Sequence, residues 1–465
     1  MFFKQYYLGC LAHASYLIGD AGEAAVVDPQ RDVDAYLADC EANGLMLRWI
    51  IETHVHADFV SGHAELAERS GATIALGRQA RPGFGFHALA DGDEIIMGNA
   101  VIRAIETPGH TPEHISLLVT DASAPDAPPK VLTGDTLFIG DVGRPDLVAS
   151  RGHTADEMAA LLYDSLHHKL LALDDTVEVW PGHGKGSLCG RYMSDATSST
   201  IGEQRRTNFM LQPMSKDEFI RKAAADQPEV PDYFIHDVQL NLAGAPPLGA
   251  MKTPIALDPA GFAAMMDDGA LVLDTRDAWD FGEAHIPGSL NVGLDGRFAS
   301  WVGSLVSPDQ PVLLVCTGEG KMREATMRLA RVGLHNAAGW LAGGLQAWAD
   351  AKRELASVPQ MLADELHEKV TSGGLQLLDV RRVPEYEAGH IAGATNIPLD
   401  ALPDAGNCGL DPDQPVVVIC SSGHRSSIAS SLLERQGFCD IANLVGGTEA
   451  WEAFDFELVT PAASR

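Results

Sequence analysis

Apolar runs that stop at polar clusters mark out the first half of the chain. "LRWIIETHVHAD" (47–58), "AVIRAIETPGH" (100–110), "KVLTGD" (130–135) and "TVEVWPGHG" (176–184) each read as a buried strand followed by a loop rich in histidine, aspartate and glycine. Folds of mixed helices and strands place their ligands at the carboxyl ends of strands. "DASAPDAPPK" (121–130) reads as an exposed loop, and "HDVQLNLAGAPPLGAMKTP" (236–254) as a linker. Beyond it the pattern changes. Stretches that read as short buried strands at Leu271–Leu273, Pro311–Val315, Leu375–Leu378 and Val416–Ile419 alternate with helical stretches, which predicts parallel sheets.

This second half repeats itself. "LVLDTRDAWDFGEAHIPGSLNV" (271–292) matches "LQLLDVRRVPEYEAGHIAGATNI" (375–397), so that Asp274, Arg276, His285, Gly288 and Asn291 align with Asp379, Arg381, His390, Gly393 and Asn396. "PVLLVCTGEG" likewise matches "PVVVICSSGH", and "LAGGLQAWAD" matches "LVGGTEAWEA". A period of about 105 residues is too long for a solenoid unit and marks two copies of one domain. With 465 residues the chain also exceeds one ordinary core. The expected domains are 1–237, a linker at 238–254, 255–355 and 356–462.

Composition narrows the function classes. The net charge of −31 repels nucleic acid and anionic membrane surfaces, so neither is an expected partner. No apolar run is long enough to span a membrane. The start, "MFFKQYYLGCLAHASYLIGD", reads as a first strand and not as a signal peptide. Seven cysteines without paired spacing make no disulfide framework and suggest a reducing cytoplasm with individually reactive thiols. A homo-oligomer is expected.

His54, His56 and Asp58 crowd into "THVHADF", His110 sits in "TPGHTPEH", Asp135 in "TGD" and His183 in "PGHG". Imidazoles and carboxylates carried on separate strands can converge on one divalent metal. This order of motifs, over residues 1 to about 210, resembles the metallo-β-lactamase superfamily, and most closely its glyoxalase II and persulfide dioxygenase branches. The resemblance implies an αββα sandwich with the site at one edge. In the dinuclear zinc hydrolases of that superfamily the motif is HxHxDH, and its last histidine binds the second metal. Here that position is Phe59, which cannot coordinate. Asp58, His183 and a shared Asp135 would hold a second metal poorly.

The persulfide dioxygenases bind one Fe(II) through two histidines and one aspartate. By resemblance those fall on His54, His110 and Asp135, one Fe(II) per chain. That is a 2-His-1-carboxylate set with open positions for O2 and a sulfur ligand. His56 would stand behind it, although it stays open as a ligand, and Asp58 and His183 would orient water or ligands. "GDVGRPDL" (140–147) also matches the dioxygenase branch, where this region lies near a thiol cofactor. Arg144 would then pair with a carboxylate of glutathione or a phosphate of coenzyme A, or else with Asp141 or Asp146. Cys189 follows His183 in a glycine-rich stretch and is expected at the rim of the site, touching substrate sulfur.

"VVVICSSGHRSSIASSLLERQG" reads as strand, loop and helix. Cys420 ends the strand and the helix begins near Ser426, so backbone N–H groups face the sulfur. Arg425 adds a positive charge. With "LLDVR", "EAGHIAGATNIP" and "VGGTEAW" this copy resembles a rhodanese domain. The resemblance implies catalysis by Cys420 with Arg425, and persulfide or sulfite contacts from Ser421, Ser422, Gly423 and His424. The first copy has Cys316 in "CTGEGKM", but Lys321 replaces the arginine and Glu319 brings a like charge toward the sulfur. It is expected to be degenerate.

Together the halves resemble bacterial persulfide dioxygenase–rhodanese fusions that detoxify sulfide. The expected small-molecule partners are low-molecular-weight persulfides, O2 and sulfite, and the expected product is thiosulfate. Two alternatives stand beside this: a zinc thioester hydrolase of the glyoxalase II type, against which Phe59 speaks, and a non-catalytic persulfide carrier or sensor, against which the ligand set speaks.

Overall fold

The computed structural model describes residues 1–147, 152–225, 227, 230–402 and 409–460. The chain forms two compact units: the first is Met1–Met251 with Ala330–Gly333, and the second begins at Lys252 and holds the rest.

The first unit is the expected αββα sandwich. One sheet orders β1 (Phe2–Leu8), β2 (His13–Asp20), β3 (Glu23–Val27), β4 (Met46–Ile51), β5 (Thr73–Gly77) and β6 (His87–Leu89). The other runs from β7 (Glu94–Met97) through β8 (Ala100–Glu106), β9 (Ile115–Asp121) and β10 (Lys130–Gly134) to β11 (Glu178–Pro181) and β12 (Ser199–Thr200). Both sheets are mixed, with parallel pairing from β3 to β6 and between β10 and β11. Side chains alternate across a pleated strand. One set therefore meets between the sheets, where Tyr16, Ile18, Val27 and Ile51 pack with Ile102, Ile115, Leu117 and Leu132. The opposite sets pack against helices. Leu17, Val26 and Ile50 lie under Asp34–Ala42 and His63–Ser70. Val131 and Val179 lie under Ala155–His168 and Lys216–Ala224.

The linker expected at 238–254 begins later than its sequence suggested. A helix, Tyr233–Ala243, takes in its first six residues and belongs to the first unit. Val238 and Leu242, four residues apart on one helical face, pack against Val55, Leu76 and Ala80.

The second unit holds both repeats. Their five-stranded sheets share one parallel order. In the first copy this is β13 (Ile255–Leu257), β17 (Ala337–Leu341), β16 (Val312–Val315), β14 (Leu271–Asp274) and β15 (Leu290–Asn291). In the second it is β18 (Gln360–Met361), β22 (Ile441–Leu444), β21 (Val416–Ile419), β19 (Gln376–Asp379) and β20 (Thr395–Asn396). The aligned Asp274 and Asp379 do the same work, each forked by its own Arg276 or Arg381 two residues on. Residues 461 and 462 of the expected last domain lie outside the described residues. No helix among the described residues is long and apolar enough to cross a membrane.

Candidate metal centre and sulfur-transfer loop

The loops after β4, β8, β10 and β11 converge at one edge of the sandwich. His54, His110 and Asp135 come together there, each offering one donor atom, all three within 4.8 Å of one another and all buried. Nε2 of His110 is 3.6 Å and Nε2 of His54 is 4.0 Å from Oδ2 of Asp135. The far nitrogens are tethered: His54 Nδ1 lies 3.0 Å from the Thr53 hydroxyl, and His110 Nδ1 donates to the Arg144 carbonyl at 2.9 Å. Nε2 of His54 and Oδ2 of Asp135 are buried and have no hydrogen-bond partner. Orphaned donors aimed at one point are costly unless something binds them. Two imidazoles and one carboxylate fit a divalent metal of the iron or zinc type.

The backbone here admits little variation. Gly134 precedes Asp135 at φ +48, and a Cβ on it would meet His114 and Thr53 at 2.6 Å. A Cβ on Gly143 would stand 1.8 Å from the Asp135 carbonyl oxygen. Both glycines are what allow the aspartate loop to close over the site.

His56 is turned elsewhere. Its Nε2 lies between Asp28 Oδ1 at 3.0 Å and Glu52 Oε2 at 3.1 Å, while Nδ1 is buried without a partner. His183 bridges the carboxylates: Nδ1 is 2.8 Å from Asp135 and Nε2 2.9 Å from Asp58. Burial alone would lower its pKa, yet Asp135 and Asp58 hold it up to about 10. Phe59 fills the space between His13 and His56, with ring centroids at 4.1 and 4.4 Å.

One expectation is corrected. Cys189 is not at a solvent-facing rim. It is buried at 2% exposure against Phe138 and Met193, with its sulfur beside Asp58 and His183. Burial, and after it the charges of Asp58 and Asp135, push its thiol far up. For Arg144 the structure shows the second of the two expected pairings, the one with Asp146. It is buried and forks onto Asp146 at 2.8 and 2.7 Å, with a further bond to the Leu188 carbonyl at 3.2 Å. It serves the site through its own carbonyl, which fixes His110.

Other residues escaped the sequence reading. His114 accepts the Asp135 N–H at 3.0 Å and meets the Thr107 and Thr136 hydroxyls through Nδ1. It stands in the quoted "TPGHTPEH", so residue type alone was the available signal. Asp28 accepts the Thr53 N–H and hydroxyl at 2.7 and 2.9 Å, holding the loop that carries His54. Asn241 donates to the carbonyls of His56 and Phe59 at 2.9 and 2.8 Å and accepts the Ser61 N–H at 2.8 Å. His13 is fully buried, with both ring nitrogens lacking partners.

In the second unit Cys420 is fully buried at the end of β21. Gly423, with φ +96, turns its N–H to the Cys420 sulfur at 3.0 Å, and the Ser426 hydroxyl lies at 3.3 Å. Arg425 forks onto Glu385 at 2.8 and 2.7 Å and donates to the Ser421 hydroxyl at 2.9 Å. Ser422 is exposed, and His424 is half-buried at the helix start. The first copy differs as its charges suggested. Lys321 pairs with Glu324 at 2.8 Å and Glu319 with Arg323, so neither serves the sulfur. Burial pushes the Cys316 thiol up to about 11, Thr275 opposing and Asp274 adding. Cys316 borders a cavity of about 580 Å³ with Thr317, Trp340 and Leu345.

Residues 8–183 match the Metallo-beta-lactamase superfamily, and residues 258–351 and 362–454 each match the Rhodanese-like domain. A probable metallo-hydrolase of Burkholderia pseudomallei is 31% identical over 270 residues, 49% of this chain and 87% of that one. The chain belongs to the metallo-β-lactamase superfamily. Two rhodanese-like domains come after its lactamase-fold domain. It is also similar to the mitochondrial persulfide dioxygenase ETHE1 of Bos taurus, 30% identical over 213 residues, 44% of this chain and 74% of that one. A crystal structure of a metallo-beta-lactamase from Staphylococcus aureus aligns with 73% of this chain and 98% of its own, at 32% identity and a TM-score of 0.65. Membership of this superfamily and the orphaned donors together imply a bound metal and an enzyme of metallo-hydrolase or sulfur metabolism.

Proposed function

We propose that the lactamase-fold domain is an iron-dependent persulfide dioxygenase and that the last domain turns its sulfite into thiosulfate. The observation that carries this is the donor set His54, His110 and Asp135, with Nε2 of His54 and Oδ2 of Asp135 unpartnered, beside a position where Phe59 stands in place of a second-metal ligand. The overall reaction is RSSH + O2 + H2O → RSH + SO3²⁻ + 2 H⁺, with RSSH a glutathione or coenzyme A persulfide. These three residues would hold Fe(II), which would supply the redox chemistry with O2 and a positive charge for a sulfur anion. The chain's own residues do the rest. Thr53 and the Arg144 carbonyl hold the imidazoles in the tautomer that leaves Nε2 free. His114 fixes the Asp135 backbone, and His183 balances the charge of Asp135 and Asp58. Phe59, buried against His13 and His56, keeps water from the flank.

At Cys420 a persulfide sulfur would take the place now served by the Gly423 N–H and the helix start. The sulfur lone pair of sulfite attacks the outer sulfur. The S–S bond breaks, its electron pair returns to Cys420 Sγ, and thiosulfate leaves: Cys–SS⁻ + SO3²⁻ → Cys–S⁻ + S2O3²⁻.

A zinc thioester hydrolase is the competing reading, favoured by the second donor group Asp58, His183 and Cys189. Metal content of protein purified without added metal, with O2 uptake on glutathione persulfide, tests the two. One iron per chain and O2 uptake support the dioxygenase; two zincs with thioesterase activity overturn it.

A further inference from the structure

The helix that follows the Cys420 loop has a polar interior. In "HRSSIASSLLER" (424–435) Ser426, Ser427, Ser430 and Ser431 are all buried, where a covered helix ordinarily shows apolar side chains. Residues four apart share a helical face, so the serines form two rows. In one row the Ser426 hydroxyl lies 3.3 Å from Cys420 Sγ, and Ser430 donates back to the Ser426 carbonyl at 2.8 Å. The other row, Ser427 and Ser431, turns to the first rhodanese-like copy.

There it meets Asn291. The Ser427 hydroxyl donates to Asn291 Oδ1 at 2.7 Å, and the Ser431 hydroxyl accepts the Asn291 N–H at 3.0 Å. The carboxamide nitrogen of Asn291 is held inside its own copy, where it donates to the carbonyls of Asp274 and Arg276 at 3.2 and 3.0 Å. The aligned Asn396 makes the same clasp onto Asp379 and Arg381, at 2.9 and 2.8 Å. Among the described residues, however, its carboxamide reaches nothing in the first copy. The duplicated domain thus supplies the clasp twice, and only Asn291 extends it to the neighbour's helix. Two contacts continue the row to the helix end: His285 Nε2 lies 2.9 Å from Glu434 Oε2, and Arg435 donates to the Gly288 carbonyl at 3.1 Å. Asn291, His285, Ser427 and Ser431 are all buried. Buried polar pairs fix one register, because any slip leaves their groups unpaired.

Ser427 belongs to the turn that faces the sulfur. It directly follows Ser426, and its N–H bonds to the Gly423 carbonyl at 3.3 Å. The Gly423 N–H and the Ser426 hydroxyl are the groups set against Cys420 Sγ. That sulfur receives the electron pair when thiosulfate leaves, so the groups that face it act on the rate of discharge.

We infer that Asn291, supplied by the first copy, is a positioning residue for the Cys420 site: through Ser427 it holds the first turn of helix His424–Arg435 so that the Gly423 N–H and the Ser426 hydroxyl meet the sulfur. The assignment rests on the sulfurtransferase reading of Cys420. It gives the first copy a task that needs no chemistry at Cys316: to brace its neighbour's sulfur cradle.

The test uses the full chain, loaded at Cys420 with glutathione persulfide, desalted and mixed with sulfite. Mass spectrometry reads the fraction of Cys420 that loads, and rapid mixing reads the rate at which loaded sites discharge. Ser427→Ala removes only the bond between the copies, whereas Asn291→Ala removes that bond and the clasp. Each should lower the discharge rate at saturating sulfite about fivefold, the worth of one buried hydrogen bond. The half-saturating sulfite concentration should stay within about twofold, since neither side chain touches the acceptor. The double variant should discharge no more slowly than Asn291→Ala alone, because the bond between the copies is already gone. A merely structural residue would lower the fraction that loads and leave loaded sites discharging at the wild-type rate. That result, or losses that multiply in the double variant, overturns the inference. Failure of the wild-type chain to form a persulfide at Cys420 instead removes the sulfurtransferase reading itself and the inference with it.

Discussion

Phe59→His asks whether one side chain separates a single-metal site from a two-metal one. Phe59 is 1% exposed. Replacing its phenyl with imidazole loses apolar burial and strands a polar N–H, together roughly 2–4 kcal/mol without metal. In a domain of this size each kcal/mol moves Tm by about 2–4 °C, so the metal-free variant should melt some 5–15 °C lower. Close by stand Asp58, whose Oδ1 has no hydrogen-bond partner, and His183, whose Nε2 is 2.9 Å from Asp58 Oδ2 and would turn to a metal in its place. The ring centroids of Phe59 and His183 are 6.4 Å apart. Two imidazoles on one zinc place their centroids about 5–6 Å apart, so a shift under about 1 Å suffices. Zinc at 100 times its Kd would return about 2.7 kcal/mol, most of the loss. The assay is metal content after dialysis, with thermal unfolding in the presence and absence of zinc. The variant should rise from one to two metals per chain and regain its Tm with zinc. A stoichiometry that stays at one, with a zinc-independent Tm, refutes the argument that Phe59 closes the second site.

Asp135→Ala removes the carboxylate facing both His54 and His110, so it should abolish metal binding and O2 uptake while sulfur transfer at Cys420, in the other compact unit, keeps wild-type rates; loss of both activities would count against independent sites. Cys420→Ser should still consume O2 but release sulfite in place of thiosulfate, read by thiol labelling and chromatography; thiosulfate that persists there and disappears in Cys316→Ser would reverse the roles of the two copies. Because burial holds the Cys316 thiol near 11, its thiolate fraction, and with it the rate of alkylation by iodoacetamide, should climb about tenfold per pH unit through the range below 11; peptide-resolved mass spectrometry that finds a plateau near neutral pH would contradict it.

The fold was readable where local pattern and burial agree. Val312–Val315 and Val416–Ile419 are buried on every residue, as strands covered on both faces must be, and a repeat with aligned Asp–x–Arg pairs could only be a duplicated domain. The misread segment shows the opposite case. The glycines and prolines from Gly244 to Pro254 lend a linker's look to Val238–Ala243 as well. Yet Phe234, Val238 and Leu242 recur every four residues, the signature of one helical face. That period, weighed against the glycine and proline content beyond Ala243, starts the linker where the helix ends.

Within the site, residue type told which groups can hold a metal, and distance in the chain decided what stayed hidden. His54, His110 and Asp135 are recognisable because donors announce themselves at strand ends. The residues that aim them are ordinary polar side chains whose partners are remote. Asn241 braces His56 from 185 positions away, and Asp28 holds Thr53 from 25 away. The same reasoning covers Arg144 and Cys189. Arginine and cysteine in a glycine-rich loop invite a substrate, but Arg144 had Asp146 two residues on, and a pair that close in sequence costs little entropy to form. Cys189 was placed by proximity to His183 in the sequence, and it is indeed close in space; what sequence could not show is that Phe138 and Met193 close over it. A buried thiol beside two carboxylates is a weak nucleophile, so any part it takes depends on its neighbours losing their charge to a bound cation.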